Sequence, residues 1–174
     1  MKTRHLWLLS VAAFGPALAA SAAETRVVGR AEIVFFEPEK FTDVRDSYMG
    51  EATRTTYLEQ IRDHVLEQAK YYVPEGHKLL VTFTDIDMAG DFEPWHGARW
   101  TDVRIVKDIY PPRINLTFRL VDAEGRVVKE GKRELRDLAF LMKISLNFRD
   151  DSVRHEKALL DDWIRIEFPR VRKD

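Results

Sequence analysis

Arg113-Ile114-Asn115-Leu116-Thr117-Phe118-Arg119-Leu120-Val121 is the stretch on which the fold reading turns. Ile114, Leu116, Phe118 and Leu120 fall on one side of an extended chain, and Arg113, Asn115, Thr117 and Arg119 on the other. That is the period of a pleated strand with one face in a core and one in water. Asp122-Ala123-Glu124-Gly125 follows as a tight turn, so Arg126 to about Leu138 is expected back as a hairpin partner. Gly131 in its middle predicts a bulge. Upstream, Lys78 to Met88 has the same period, with Leu79, Val81 and Phe83 on one face and Leu80, Thr82 and Thr84 on the other. Val27 to Phe36 is β-branched and aromatic and reads as a further strand, closed by Glu37-Pro38.

Between these strands the period changes. From about Glu51 to Tyr72, Leu58, Ile61, Val65, Ala69 and Tyr72 recur at helical spacing, with Arg54, Glu59, Arg62, Asp63 and Lys70 largely on the other faces. Pro74-Glu75-Gly76 stops this helix. A second helix is expected to start at Asp150-Asp151-Ser152, where acid suits the positive helix end, and to run to about Glu167. Leu159, Leu160, Trp163, Ile164 and Phe168 form its stripe, and Asp161 and Arg165 are spaced as an i,i+4 pair. Pro169 ends it, leaving Arg170 to Asp174 as a loose tail. Residues 139–148 are ambiguous: Phe140, Met142, Ile144, Leu146 and Phe148 alternate as in a strand, Phe140, Leu141 and Ile144 also fit a short helix, and strand or irregular is preferred. The chain is therefore expected to be an α+β domain, a mainly antiparallel sheet of four to five strands with two helices packed on one face, in the order β-α-β-β-β-α.

The 174 residues suit one such domain, and 45% hydrophobic content excludes disorder over the whole chain. The absence of cysteine excludes disulfides, thiol catalysis, Cys-ligated metals and a lipoprotein anchor. Residues 1–22 have the layout of a secretory signal peptide. Lys2 and Arg4 precede the 15-residue apolar run Leu6–Ala20, which Gly15-Pro16 interrupts, and Ala17-Leu18-Ala19 and Ala20-Ser21-Ala22 are cleavage patterns. The run is short of the roughly 20 residues that span a bilayer. The expectation is cleavage near Ala22 or Ala23 and a soluble periplasmic domain over residues 23–174, with no stable membrane anchor. Loss of Lys2 and Arg4 takes the net charge from −1 to −3. That balance, with export, argues against nucleic acid as a partner.

The 25-residue connection Met88–Pro112 is long for a structureless loop in a compact domain, so it is either functional or hides an element. Val103 to Ile109 is a candidate edge strand. The part before it carries Phe92, Trp95, His96 and Trp100, which read either as a lid folded back on the core or as an aromatic contact surface. The candidate binding residues are Trp95, Trp100, Arg104, Lys107 and Tyr110. Arg104, Lys107 and Arg113 around Tyr110-Pro111-Pro112 suit an anionic ligand or a protein partner, or simply guard a strand edge.

Thr84-Asp85-Ile86-Asp87-Met88-Ala89-Gly90-Asp91-Phe92-Glu93-Pro94-Trp95, Asp102 to Ile114, Leu135-Arg136-Asp137-Leu138 and His155 to Trp163 together resemble a bacterial exported family, domain of unknown function 3016. The likeness runs from about Val28 to Phe168. It implies export and no particular activity, ligand or catalytic residue.

Asp85, Asp87 and Asp91, with Glu93, are the candidate metal ligands, because hard cations such as calcium take alternating carboxylates. Their spacing is not that of an EF-hand, and salt bridges to Arg99, Arg104 or Lys107 explain them equally. The same acids could form a carboxylate pair for hydrolysis of a cell-envelope polymer, although 29 acids always offer some pair. His64, His77, His96 and His155 have no zinc spacing. Ser47, Ser145 and Ser152 lie in no nucleophile motif, and no nucleotide-binding or other cofactor motif occurs. The balance favours a non-enzymatic binding or interaction module with no cofactor, acting through residues 91–113 on an unknown envelope protein or ligand. Export predicts that the protein recovered from cells begins at Ala23 or Glu24, read by the mass of its N-terminal peptide.

Overall fold

The computed structural model describes residues 24–44, 51–93, 95, 103–142 and 151–171. The first expected strand is cut in two. Gly29, at φ +61°, turns the chain sharply, and β1 (Glu24–Val28) folds back antiparallel on β2 (Ala31–Phe35). A residue with a Cβ resists that left-handed backbone, which is why glycine stands there. After β2 a short 3-10 turn (Pro38–Lys40) leads to α1 (Glu51–Tyr72), the 22-residue helix read from the sequence. β3 (Lys78–Asp87) then returns beside β2 and must run parallel to it, because a helix intervenes. β4 (Asp91–Phe92) and β5 (Arg104–Ile105) form a separate two-stranded ribbon. β6 (Arg113–Val121), β7 (Val127–Arg136), a 3-10 turn (Phe140–Met142) and α2 (Arg154–Glu167) complete the order.

The main sheet has five strands in the order β1-β2-β3-β6-β7, antiparallel except for β2 with β3. The α+β class and both helices follow the sequence reading. Neighbouring strands place their apolar residues in rows: Ala31, Leu79 and Leu120; Ile33, Val81 and Phe118; Phe35, Phe83 and Leu116. All nine are buried in one cluster with Leu58, Ile61, Val65 and Ala69 of α1 and Leu159, Leu160, Trp163 and Ile164 of α2. Both helices therefore cover one face. Phe35 stacks on Phe83 at 5.2 Å between ring centres, and Phe118 meets Trp163 and Phe168 edge-on.

Several expectations are corrected. Gly131 is not a bulge. It pairs in register with Phe118, and the shift lies at Leu120/Val121, against the start of β7. A Cβ at Gly131 would come within 3.1 Å of the Phe118 ring, so the glycine answers to packing. Residues 103–109 supply only the two-residue β5, off the main sheet. α2 starts at Arg154, without a side-chain cap, and Asp151 instead accepts the Val153 N–H at 2.9 Å. Asp161 does not pair with Arg165. It turns to α1 and meets His64 Nε2 at 2.7 Å, while Arg165 takes Asp162. Arg62, read as outward, is buried with its guanidinium over Phe35. The tail is tied down as far as Val171, whose N–H donates to the Tyr71 carbonyl. Of 139–148, residues 140–142 are 3-10 helix, and 143–150 lie outside the described residues.

The edge strand β7 faces the core side with charge. Lys129 and Arg133 converge on Glu167 of α2, at 2.7 and 2.8 Å. Burial opposes ionisation of Glu167, but hydrogen bonds from Arg133 and Lys129 prevail and hold its carboxyl below the usual range. Phe83→Ala is expected to cost about 3–5 kcal/mol, against under about 1 kcal/mol for Thr117→Ala on the open face, both measured by urea unfolding.

Candidate functional site

The end of β3 is where the chain stops serving the core and starts positioning polar groups. A bulge at Thr84 sets this up. Register passes from Phe83↔Leu116 to Asp85↔Asn115, so Thr84 is skipped. With unbroken alternation, Asp85 would follow Phe83 onto the core face. The extra residue moves Asp85 and Asp87 to the open face and brings Ile86 into the core, fully buried. Asp85 then accepts the Thr42 N–H at 2.7 Å and the Thr42 hydroxyl at 2.9 Å. Asp87 meets Arg113 at 2.9 Å. Burial raises its pKa, Arg113 opposes the rise, and the charges of Asp43 and Asp85 add to it.

Beyond β3, three successive backbone amides are taken by three distant segments. Met88 N–H donates to Asp43 Oδ2 at 3.1 Å, Ala89 N–H to Glu156 Oε1 at 2.7 Å, and Gly90 N–H to the Tyr110 carbonyl at 3.0 Å. Gly90, at φ +85°, has the Ile105 carbonyl where a Cβ would sit, 2.8 Å away. Only glycine lets the ribbon close here. Arg104 of β5 reaches back through Nη1 to Asp43 and to the Gly90 carbonyl, with its guanidinium over the Phe92 ring. Glu93 is 2% exposed and accepts Lys107 Nζ on both oxygens and the Tyr110 hydroxyl. Burial and the Glu93 hydrogen bond both raise the Tyr110 pKa. Glu156, 1% exposed on α2, is pushed by burial to about 7. Ala89 N–H, its own N–H and Arg104 pull against that rise, and Asp43 adds to it.

The structure thus brings Arg104, Lys107 and Tyr110 together on the ribbon but directs their polar atoms inward. Trp95 stands 68% exposed, and Trp100 lies outside the described residues. Asp91 is exposed and accepts the Phe92 N–H. Asp85, Asp87 and Asp91 are not gathered, and among the described residues no three acidic or histidine side chains are grouped to hold a metal. Asp43 and Glu156 escaped the sequence reading. Neither is a candidate site residue in the sequence reading. Their partners are remote in sequence, which no local pattern announces.

A shallow concavity of about 500 Å³ lies elsewhere, on the open sheet face, lined by Leu80, Thr82, Thr117, Arg119 and Glu130 among others. It holds a single carboxylate and so offers no acid pair of the kind glycoside hydrolysis uses. Among the described residues no helix is long and apolar enough to cross a membrane.

Residues 29–166 match the model of the family described as protein of unknown function (DUF3016). The chain belongs to this family. The match spans the whole sheet except β1, and both helices to within one residue of the end of α2, so the Asp43–Arg104–Glu156 arrangement lies inside the family domain. No curated protein and no solved structure matches the chain significantly.

Breaking the Glu93 pair tests how firmly the ribbon is held. Lys107→Met is expected to cost about 1–3 kcal/mol by removing the cation that faces a buried carboxylate. Adding Glu93→Gln should recover part of the loss, as a double-mutant cycle by urea unfolding would show.

Proposed function

We propose that this is an exported, periplasmic and non-enzymatic interaction module whose working surface is the 91–113 segment. What supports the reading is exposed apolar surface on a segment where several charged and polar groups are already engaged. Among its described residues, Arg104, Lys107 and Tyr110 spend polar atoms on Asp43, Gly90 and Glu93, while Asp91 and Asp108 stay exposed. Trp95 is 68% exposed and Ile109 65%, and Val103 and Val106 are exposed as well. Leu138, Leu141 and Met142 are exposed on the neighbouring stretch, which the Asp137 N–H ties to the Pro112 carbonyl.

An exposed tryptophan on a segment that also exposes aliphatic side chains has the composition of a contact hot spot, and exposed apolar patches mark interaction sites. The partner such a surface fits is an envelope protein or ligand with an apolar patch. The concavity on the open sheet face supports no carboxylate-pair catalysis, since Glu130 is the one carboxylate among its lining residues. A photo-crosslinking residue placed at Trp95 or Ile109 in living cells is expected to give a discrete adduct in the periplasmic fraction. The same residue at Glu124, in the turn at the opposite end of the sheet, should give none. Absence of adducts from both 95 and 109 would sink the reading.

A further inference from the structure

Glu156 asks for an explanation that packing alone does not supply. It sits in the interior with a second carboxylate, Asp43, and one guanidinium, Arg104, as its charged company. Arg104 is already committed through Nη1 to Asp43 and Gly90, and its buried Nε and Nη2 have no hydrogen-bond partner. None of its donors reaches Glu156. The side chain's one tie to another segment is to the Ala89 N–H, the middle of the three amides that anchor the β4–β5 ribbon.

We propose that Glu156 is a proton-operated latch on the β4–β5 ribbon. Protonated, its carboxyl accepts the Ala89 N–H beside the intact Asp43–Arg104 pair. Deprotonated, it sets two buried carboxylates against one guanidinium and loosens the ribbon from the core. The proton leaves for solvent, and no covalent bond changes.

The other charged groups nearby are already engaged. On α2, His155 packs edge-on against Phe140, with its pKa lowered by burial and by Arg154, and Lys157 pairs with Asp151. On the strand side Asp87 pairs with Arg113. On the ribbon Lys107 pairs with Glu93. Asp43 and Arg104 remain as the groups that feel a charge on Glu156.

The direction follows from linkage. The folded carboxyl titrates at about 7 against an ordinary 4.5, so the closed state binds the proton more tightly than the opened one. Closure is strongest below the ordinary carboxyl range and weakens as pH rises towards 7, by about tenfold per pH unit, then levels off. The latch rests on the contact reading only for what it governs, the apolar surface that the ribbon carries.

Amide exchange of the full chain tests it without any partner. Between pH 5 and pH 7.5, opening of the Met88–Phe92 amides, corrected for intrinsic exchange chemistry, should rise on the order of a hundredfold. In Glu156→Gln, whose carboxamide oxygen still accepts from Ala89, it should stay flat. Parallel pH profiles in the two proteins would overturn the latch. Should Glu156→Gln fail to fold, the carboxyl carbon of Glu156 in the unaltered protein can be titrated by NMR, and a midpoint in the ordinary carboxylate range would overturn it equally. Failure of the crosslinking at 95 and 109 would leave this result standing, so the two ideas fall separately.

Discussion

Removal of one sheet face from water is the constraint on which the other features depend. The rows through Ala31, Ile33 and Phe35 run across β3 and β6 without a break, and α1 and α2 lie on them together. A sheet that buries one face against helices leaves the other wet, and the threonines and charges of β3 and β6 on that face answer to it. Buried carboxylates mark two of the core's borders. At the β7 edge Glu167 is clasped by Lys129 and Arg133, and at the end of β3 Asp43 and Glu156 share Arg104.

Those two borders are not equivalent. Glu167 has two cations for one carboxylate, and its carboxyl stays easily ionised. Glu156 has the reverse balance, with a second carboxylate close by and no hydrogen bond from the guanidinium, in a place drier still. The first arrangement welds an edge strand to a helix. The second joins a helix, a post-strand segment and a ribbon around a carboxyl that burial makes harder to ionise. The 91–113 segment that carries this ribbon is also where Trp95 and Ile109 stand exposed. The support and the proposed contact surface thus belong to one segment of chain.

Much of the fold was legible because it rests on local repetition. The alternation of Arg113–Val121 and the helical spacing of Glu51–Tyr72 match the observed elements residue for residue. What went unread has a common cause in distance along the chain. Arg62 looks solvent-facing until Phe35 is known to lie beneath it, and Asp161 looks like the partner of Arg165 until α1 presents His64. The charges of the 91–113 segment looked available to a partner, whereas Asp43 and Glu93 take Arg104, Lys107 and Tyr110.

Sequence by itself determined the α+β class, the placing of both helices, the identity of the core residues on β3 and β6 and the membership of the family. These depend on periodicity and on long motifs, which are properties of neighbouring residues. Tertiary structure alone decided that β2 and β3 run side by side, that one skipped residue at Thr84 turns two aspartates away from the core, and that Glu156 ends up beside Asp43 and Arg104. The last of these joins residues more than a hundred positions apart. The free energy of a buried charge is set by its three-dimensional surroundings, and no spacing along the chain encodes them.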